Sequence, residues 1–134
     1  MEGKQIFRRI LREKYFSSPY QPEFYDWAFQ LPANSPEIKQ VWARIPNDVD
    51  VLITHGPPAN ILDLTSDGKH AGCAQLLARV HQIKPRLHVF GHIHEAYGRI
   101  EQNSTIFVNA SVCNFQYQPV QLPILVDLEI KETK

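Results

Sequence analysis

Two apolar runs, each closed by histidine beside glycine, constrain this chain more than anything else in it. The first is Val51-Leu52-Ile53-Thr54-His55-Gly56-Pro57-Pro58. The second is Leu87-His88-Val89-Phe90-Gly91-His92-Ile93-His94. A short Val/Leu/Ile run stopped by a turn signal reads as a buried strand. Between the two runs, Cys73, Leu76, Leu77, Val80 and Ile83 recur at three- and four-residue steps, so a helix is expected over residues 70–84 until Pro85 ends it. Strand, helix, strand with short joints is a βαβ unit, whose strands are parallel and whose crossover is right-handed. Both carboxyl ends then lie on one sheet edge, where ligands sit in open α/β sheets. This topology delivers His55, His92 and His94 to the same edge.

The rest of the chain is organised around that unit. Residues 4–16 place Ile6, Phe7, Ile10, Leu11 and Tyr15 on one stripe and Arg8, Arg9, Arg12 and Lys14 on the other. This predicts an amphipathic helix with a solvated basic face, an N-terminal segment (1–16) apart from the main domain (17–130). Residues 17–36 mix four prolines with Tyr20, Phe24, Tyr25, Trp27 and Phe29. Proline excludes a long helix or central strand, and the aromatics predict a packed, ordered loop, with walling of a pocket as a secondary role. Ser35-Pro36-Glu37 is an N-cap signal for a short helix ending near Arg44. A strand over 49–54 follows. After the histidines, 97–101 and Thr105–Asn109 flank a turn and predict a hairpin, and 122–130 alternates as a last strand. The fold class is α/β, a βαβ unit followed by antiparallel strands.

Composition narrows the function classes. The 134 residues suffice for one domain with a modest core. Formal net charge is zero, and no basic face exists beyond the first fifteen residues, so neither nucleic acid nor a membrane surface is an expected partner. No apolar run approaches the roughly 18 residues of a membrane span, and the N-terminus lacks the apolar core of a signal peptide. Cys73 and Cys113 are too few to suggest a disulfide framework. A cytoplasmic, reduced protein is the expectation. Asn103-Ser104-Thr105 and Asn109-Ala110-Ser111 match the glycosylation sequon and read as chance.

Neutral imidazole is a borderline-soft donor suited to Zn, Fe or Mn. A lone histidine is usually a hydrogen-bonded core or surface residue, and His70, His81 and His88 are read that way. A bare His-x-His is weak evidence for a metal site. Two strand-terminal histidine motifs on one βαβ unit are stronger.

Thr54-His55-Gly56-Pro57-Pro58 and Gly91-His92-Ile93-His94 resemble the two C-terminal signature motifs of the calcineurin-like metallophosphoesterases. Ser18-Pro19-Tyr20-Gln21-Pro22, Trp27-Ala28-Phe29, Gly72-Cys73, the run from Pro85 to Gly98, and Asn109-Ala110-Ser111-Val112-Cys113 extend the likeness to the branch of metallophosphoesterase domain-containing proteins, over about residues 17–128. The resemblance implies a four-layer α/β/β/α sandwich around a dimetal centre. It implies His55 and His92 as ligands of one ion and His94 as ligand of the other. His92 would also stand beside the substrate phosphate as a catalytic residue. The family uses a metal-activated hydroxide, attacking in line on phosphodiesters such as cyclic nucleotides. Its cofactors are divalent Mn, Fe or Zn ions, two in the complete site.

The chain departs from the family at one end. The Asp-x-His, Gly-Asp and Gly-Asn-His motifs are absent, and Arg8 to Tyr15 stand where the family's strand runs almost directly into Ser-Pro-Tyr. It resembles the C-terminal half of the domain. Without the bridging carboxylate, two dications about 4 Å apart repel without compensation, so one ion or none is expected here. Half a sandwich also leaves a sheet face or edge unpaired, which predicts self-association or a complementing N-terminal half. Two readings stay open: a phosphodiesterase domain whose activity belongs to the complete protein, and a catalytically inactive homologue that binds a metal or a partner.

Overall fold

The computed structural model describes residues 13–129. Four parallel strands and one antiparallel strand form its sheet. In chain order the elements are β1 (Tyr15–Ser18), β2 (Gln21–Pro22), β3 (Gln30–Leu31), α1 (Pro36–Ala43), β4 (Val51–Thr54), α2 (Ala74–Ile83), β5 (Leu87–Phe90), a 3-10 turn (His94–Ala96), β6 (Gly98–Gln102) and β7 (Thr105–Asn109). The sheet order is β1-β4-β5-β7-β6, with β6 antiparallel to β7, and β2 and β3 form a separate two-stranded ribbon.

The route from β1 through α1 to β4 steps across the sheet in the same direction as the route from β4 through α2 to β5. Two right-handed crossovers stepping the same way put their helices on one face. The burial agrees. Phe16, Leu52, His88 and Phe107 share one row across the sheet. Leu52 and Phe107 are fully buried in one cluster with Ile38, Val41 and Trp42 of α1 and Leu76 and Val80 of α2. Trp42 closes the helix pair by donating its indole N–H to Cys73 Sγ at 3.3 Å. The alternate positions face the other way. On that side Tyr15 and Ile53 are 62% and 43% exposed.

Local chemistry explains the boundaries. Ser35 caps α1 by accepting from Ile38 N–H at 3.2 Å, with Pro36 opening the helix as the sequence predicts. Lys84 ends α2 in a left-handed conformation at φ 49°. The β6–β7 turn sits on Asn103 and Ser104, both at positive φ (51° and 67°), the twist that a two-residue hairpin loop requires.

Three expectations are corrected. The helix over 4–16 does not hold at its C-terminal end: Tyr15–Ser18 is strand β1, and 4–12 lie outside the described residues. The physical reason is pairing. Asp50 and Val51 N–H both donate to Lys14 O, and Tyr15 to Ser18 run parallel to Val51 to Thr54 in register. The last strand expected over 122–130 is not a strand in 122–129. Ile124, Val126 and Leu128 are half-buried while Leu125 is 85% exposed, so the alternation is present without ladder partners. Of the aromatics of 17–36, Tyr20 packs against the core, but the others are not buried by packing. Tyr25, Trp27 and Phe29 are 82%, 54% and 58% exposed, and Phe24 stacks edge-on against Tyr25 and Trp27.

Candidate metal centre

Parallel strands β4 and β5 end side by side, and their ends are tied together. Gly91 N–H donates to His55 O at 2.9 Å, locking the loop after β5 to the loop after β4. His55 Nε2 and His92 Nδ1 then stand 3.1 Å apart, with ring centroids at 4.8 Å. His92 reaches this position with φ at 71°, left-handed backbone that costs a non-glycine residue roughly 1–2 kcal/mol. Such strain persists only where surrounding contacts hold it. Here they include Ile93 N–H to Gly91 O at 2.8 Å and Asn109, fully buried, whose Nδ2 donates to Ile93 O at 2.8 Å and to Leu62 O at 3.1 Å.

Beneath His55 a second imidazole sets the loop. Thr54 Oγ1 donates to Gly56 O at 2.8 Å, so its contact with His88 Nε2, also 2.8 Å, must be accepted from an Nε2–H. His88 is fully buried, and burial pushes its pKa down to about 3, which keeps it neutral. The sequence reading of His88 as a hydrogen-bonded core residue agrees with this arrangement.

The electrostatics favour neutral rings at the pair. Burial, then the neighbouring His55 and His94, push His92 down to about 4, against a small opposing effect of Glu95. Burial lowers His55 as well. Neutral imidazole is the form that ligates a metal. Two nitrogens each about 2.0–2.1 Å from a tetrahedral ion stand about 3.3 Å apart, close to the separation here. The pair therefore fits two corners of a coordination sphere. His94 lines a cavity with His92 and is held by its own contacts. Its Nδ1 faces Asn114 O at 3.2 Å, and its ring meets Tyr117 edge-on at 5.3 Å. A carbonyl only accepts, so the proton sits on Nδ1 and the lone pair on Nε2. Among the described residues no group of three or more His, Cys, Asp or Glu side chains gathers to hold a metal. A complete sphere needs donors beyond this pair.

Two cavities flank His92. One, of about 340 Å³, is lined by Phe24, Gly72, His70 and His92 among others; the second, of about 320 Å³, is lined by Trp27, His92, His94, Phe115 and Tyr117 among others. Phe24 and Trp27 meet the His92 ring edge-on at 4.9 and 6.1 Å. The aromatic loop is thus a pocket wall first. His70, read from sequence as an ordinary hydrogen-bonded residue, lines the first cavity and pairs with Asp63, seven residues earlier, a contact that the sequence does not mark. No helix of the described residues is long and apolar enough to cross a membrane.

The chain matches no protein-family model. It is 50% identical over 115 residues to metallophosphoesterase domain-containing protein 1 of Homo sapiens and, equally, of Mus musculus, covering 84% of this chain and 35% of each relative. A UPF0046 protein of Caenorhabditis elegans is 38% identical over 116 residues, covering 86% of this chain and 29% of that protein. The chain thus spans about a third of the length of the curated relatives it matches. The His55 and His92 motifs, the strand edge that carries them and this level of identity agree: the chain is a partial homologue of the metallophosphoesterase domain-containing proteins.

Proposed function

We propose that this chain carries the C-terminal portion of a metal-dependent phosphoesterase site acting on phosphodiesters. The observation that carries the reading is the 3.1 Å approach of His55 Nε2 to His92 Nδ1 at the carboxyl edge of two parallel strands. In this reading His55 and His92 hold one divalent ion of the Mn, Fe or Zn group, and His94 serves a second through Nε2. A divalent ion at such a site supplies Lewis-acid stabilisation of charge on a phosphoryl group. The chain's own residues do the rest. Gly91 N–H and Thr54 Oγ1 hold the two histidine loops in register. Asn114 O orients the His94 ring. Phe24 and Trp27 shield one side of His92 from water, which strengthens electrostatic interactions at the site. The remaining donors come from groups outside the described residues, including a complementing N-terminal half.

The test is hydrolysis of bis(p-nitrophenyl) phosphate with added Mn²⁺ by the chain mixed with a complementing N-terminal half, comparing the chain with its His92→Ala variant. Metal-dependent turnover that falls by at least about a hundredfold in the variant is expected of this site. Turnover of equal rate in both would overturn the assignment of His92. A chain that binds metal through His55 and His92 without turnover would favour the second reading, a metal-binding homologue without hydrolysis.

A further inference from the structure

Asp63 and His70 lie in the polar loop between His55 and α2. Asp63 is 1% exposed, and its carboxylate takes three donors. Oδ2 accepts from Asn60 N–H and Gly72 N–H, both at 2.9 Å, and Oδ1 stands 2.7 Å from His70 Nδ1. The surrounding backbone is a closed clip. Ala71 N–H donates to Asp63 O at 3.0 Å, Ala59 N–H to Cys73 O at 3.1 Å, and Cys73 N–H to Pro57 O at 3.0 Å. Gly72 is required at the crossing, because a Cβ there would fall inside the Pro58 carbonyl and within 2.7 Å of Ala59 N. The loop after the His55-Gly56-Pro57-Pro58 motif is therefore held in one conformation.

Two backbone amides on Oδ2 would suffice to fix such a loop. The third contact adds something a loop does not need, an imidazole of set orientation. The His70 side chain is 52% exposed and lines the same 340 Å³ cavity as His92. With Oδ1 accepting at Nδ1, the proton resides on Nδ1, and Nε2 points away from Asp63. With a carboxylate at one ring nitrogen and an anion at the other, both nitrogens of His70 have an acceptor within reach. An anion with several acceptor oxygens matches this group, and among the described residues the only carboxylate lining the cavity, Glu23, is exposed to solvent.

We propose that His70, held by Asp63, is a ligand-binding residue that takes a phosphoryl oxygen of a phosphate ester lodged between it and His92. The contact needs one proton on Nε2, taken from solvent as the anion binds and donated toward P–O⁻, so no further reactant is needed. The proposal deepens the phosphoesterase reading and rests on it. It assigns the anion-holding contact to the loop between the two histidine motifs.

The test uses the ¹⁵N-labelled chain, free of affinity tag, with inorganic phosphate as probe and histidine ring nitrogens as reporters. Phosphate should shift His70 Nε2 saturably. His70→Gln leaves the Asp63 bonds to Asn60 and Gly72 in place and should weaken phosphate binding about tenfold, the scale of one charge-assisted hydrogen bond. Asp63→Asn should weaken the same shift. Phosphate that moves no His70 nitrogen, or that binds His70→Gln with unchanged affinity, overturns the proposal. Zinc added to a phosphate-free sample reads the metal pair separately. A zinc response at His55 and His92 without a phosphate response at His70 overturns this inference alone, whereas no zinc response at either ring counts against the phosphoesterase reading.

Discussion

Acid should destabilise this chain through His88. The ring is fully buried, its Nε2–H is committed to Thr54 Oγ1, and its Nδ1 has no hydrogen-bond partner among the described residues. Protonation would place an unpaired N–H and a charge in the core, which is why burial lowers the pKa from 6.5 to about 3. In the unfolded chain the same ring titrates near 6.5. Between those two values the unfolded state binds more protons, so stability falls as pH falls. The contribution is fully retained above pH 6.5. At pH 5.0 the unfolded state has gained about 2 kcal/mol from this one ring while the folded state has gained almost nothing. Against a domain stability of about 5–15 kcal/mol, that loss is large. His88→Gln isolates the effect, since glutamine keeps an N–H for Thr54 Oγ1 and does not titrate. Urea unfolding followed by tryptophan fluorescence at pH 7.5 and 5.0 should show the parent chain losing about 2 kcal/mol more than the variant. The partly exposed His92, whose contribution solvent screens, is present in both proteins and cancels. Equal losses in the two proteins would refute the reasoning.

Two further substitutions probe the loops that build the site. Gly72→Ala forces a Cβ into the Pro58 carbonyl and should cost about 3 kcal/mol, whereas Gly68→Ala, with open space but φ at 81°, should cost about 1 kcal/mol; equal urea midpoints for the two would contradict the clip. Asn109→Ala removes the side-chain donor to Leu62 O, one of the two donors to Ile93 O, and the acceptor of Ser111 N–H, and should cost about 3 kcal/mol. Asn109→Asp should be no better, because it sets a carboxylate against those same carbonyls; a variant as stable as the parent would show that the side chain does not hold the His92 loop.

Much of the scaffold is legible from sequence because it depends on local signals. The strand at Leu87–Phe90 is an apolar run stopped by Gly91, the α1 start is a serine followed by proline, and the hairpin turn falls on Asn103 and Ser104. The convergence of His55 and His92 follows from the parallel direction that one strand–helix–strand crossover imposes. What is not legible depends on partners far along the chain. Tyr15 continues a helical stripe in sequence, and only pairing with β4 makes it strand. The alternation of 122–129 predicts a face correctly, but no neighbour completes a ladder. Composition cannot separate aromatics that pack inward from those that stack on each other and on His92, as Phe24 and Trp27 do. Nor does spacing reveal that Asp63 is buried behind His70, or that Asn114 O holds Nδ1 of His94.

The pair of imidazoles at 3.1 Å is the centre of this account. Calorimetric titration of the tag-free chain with Zn²⁺, repeated on His55→Ala, His92→Ala and His94→Ala, tests it most directly. His55→Ala and His92→Ala should each weaken binding by at least about a hundredfold and to a similar extent, because either change removes one of two chelating donors, and His94→Ala should weaken it less. Unchanged affinity and stoichiometry in both His55→Ala and His92→Ala would contradict the metal assignment.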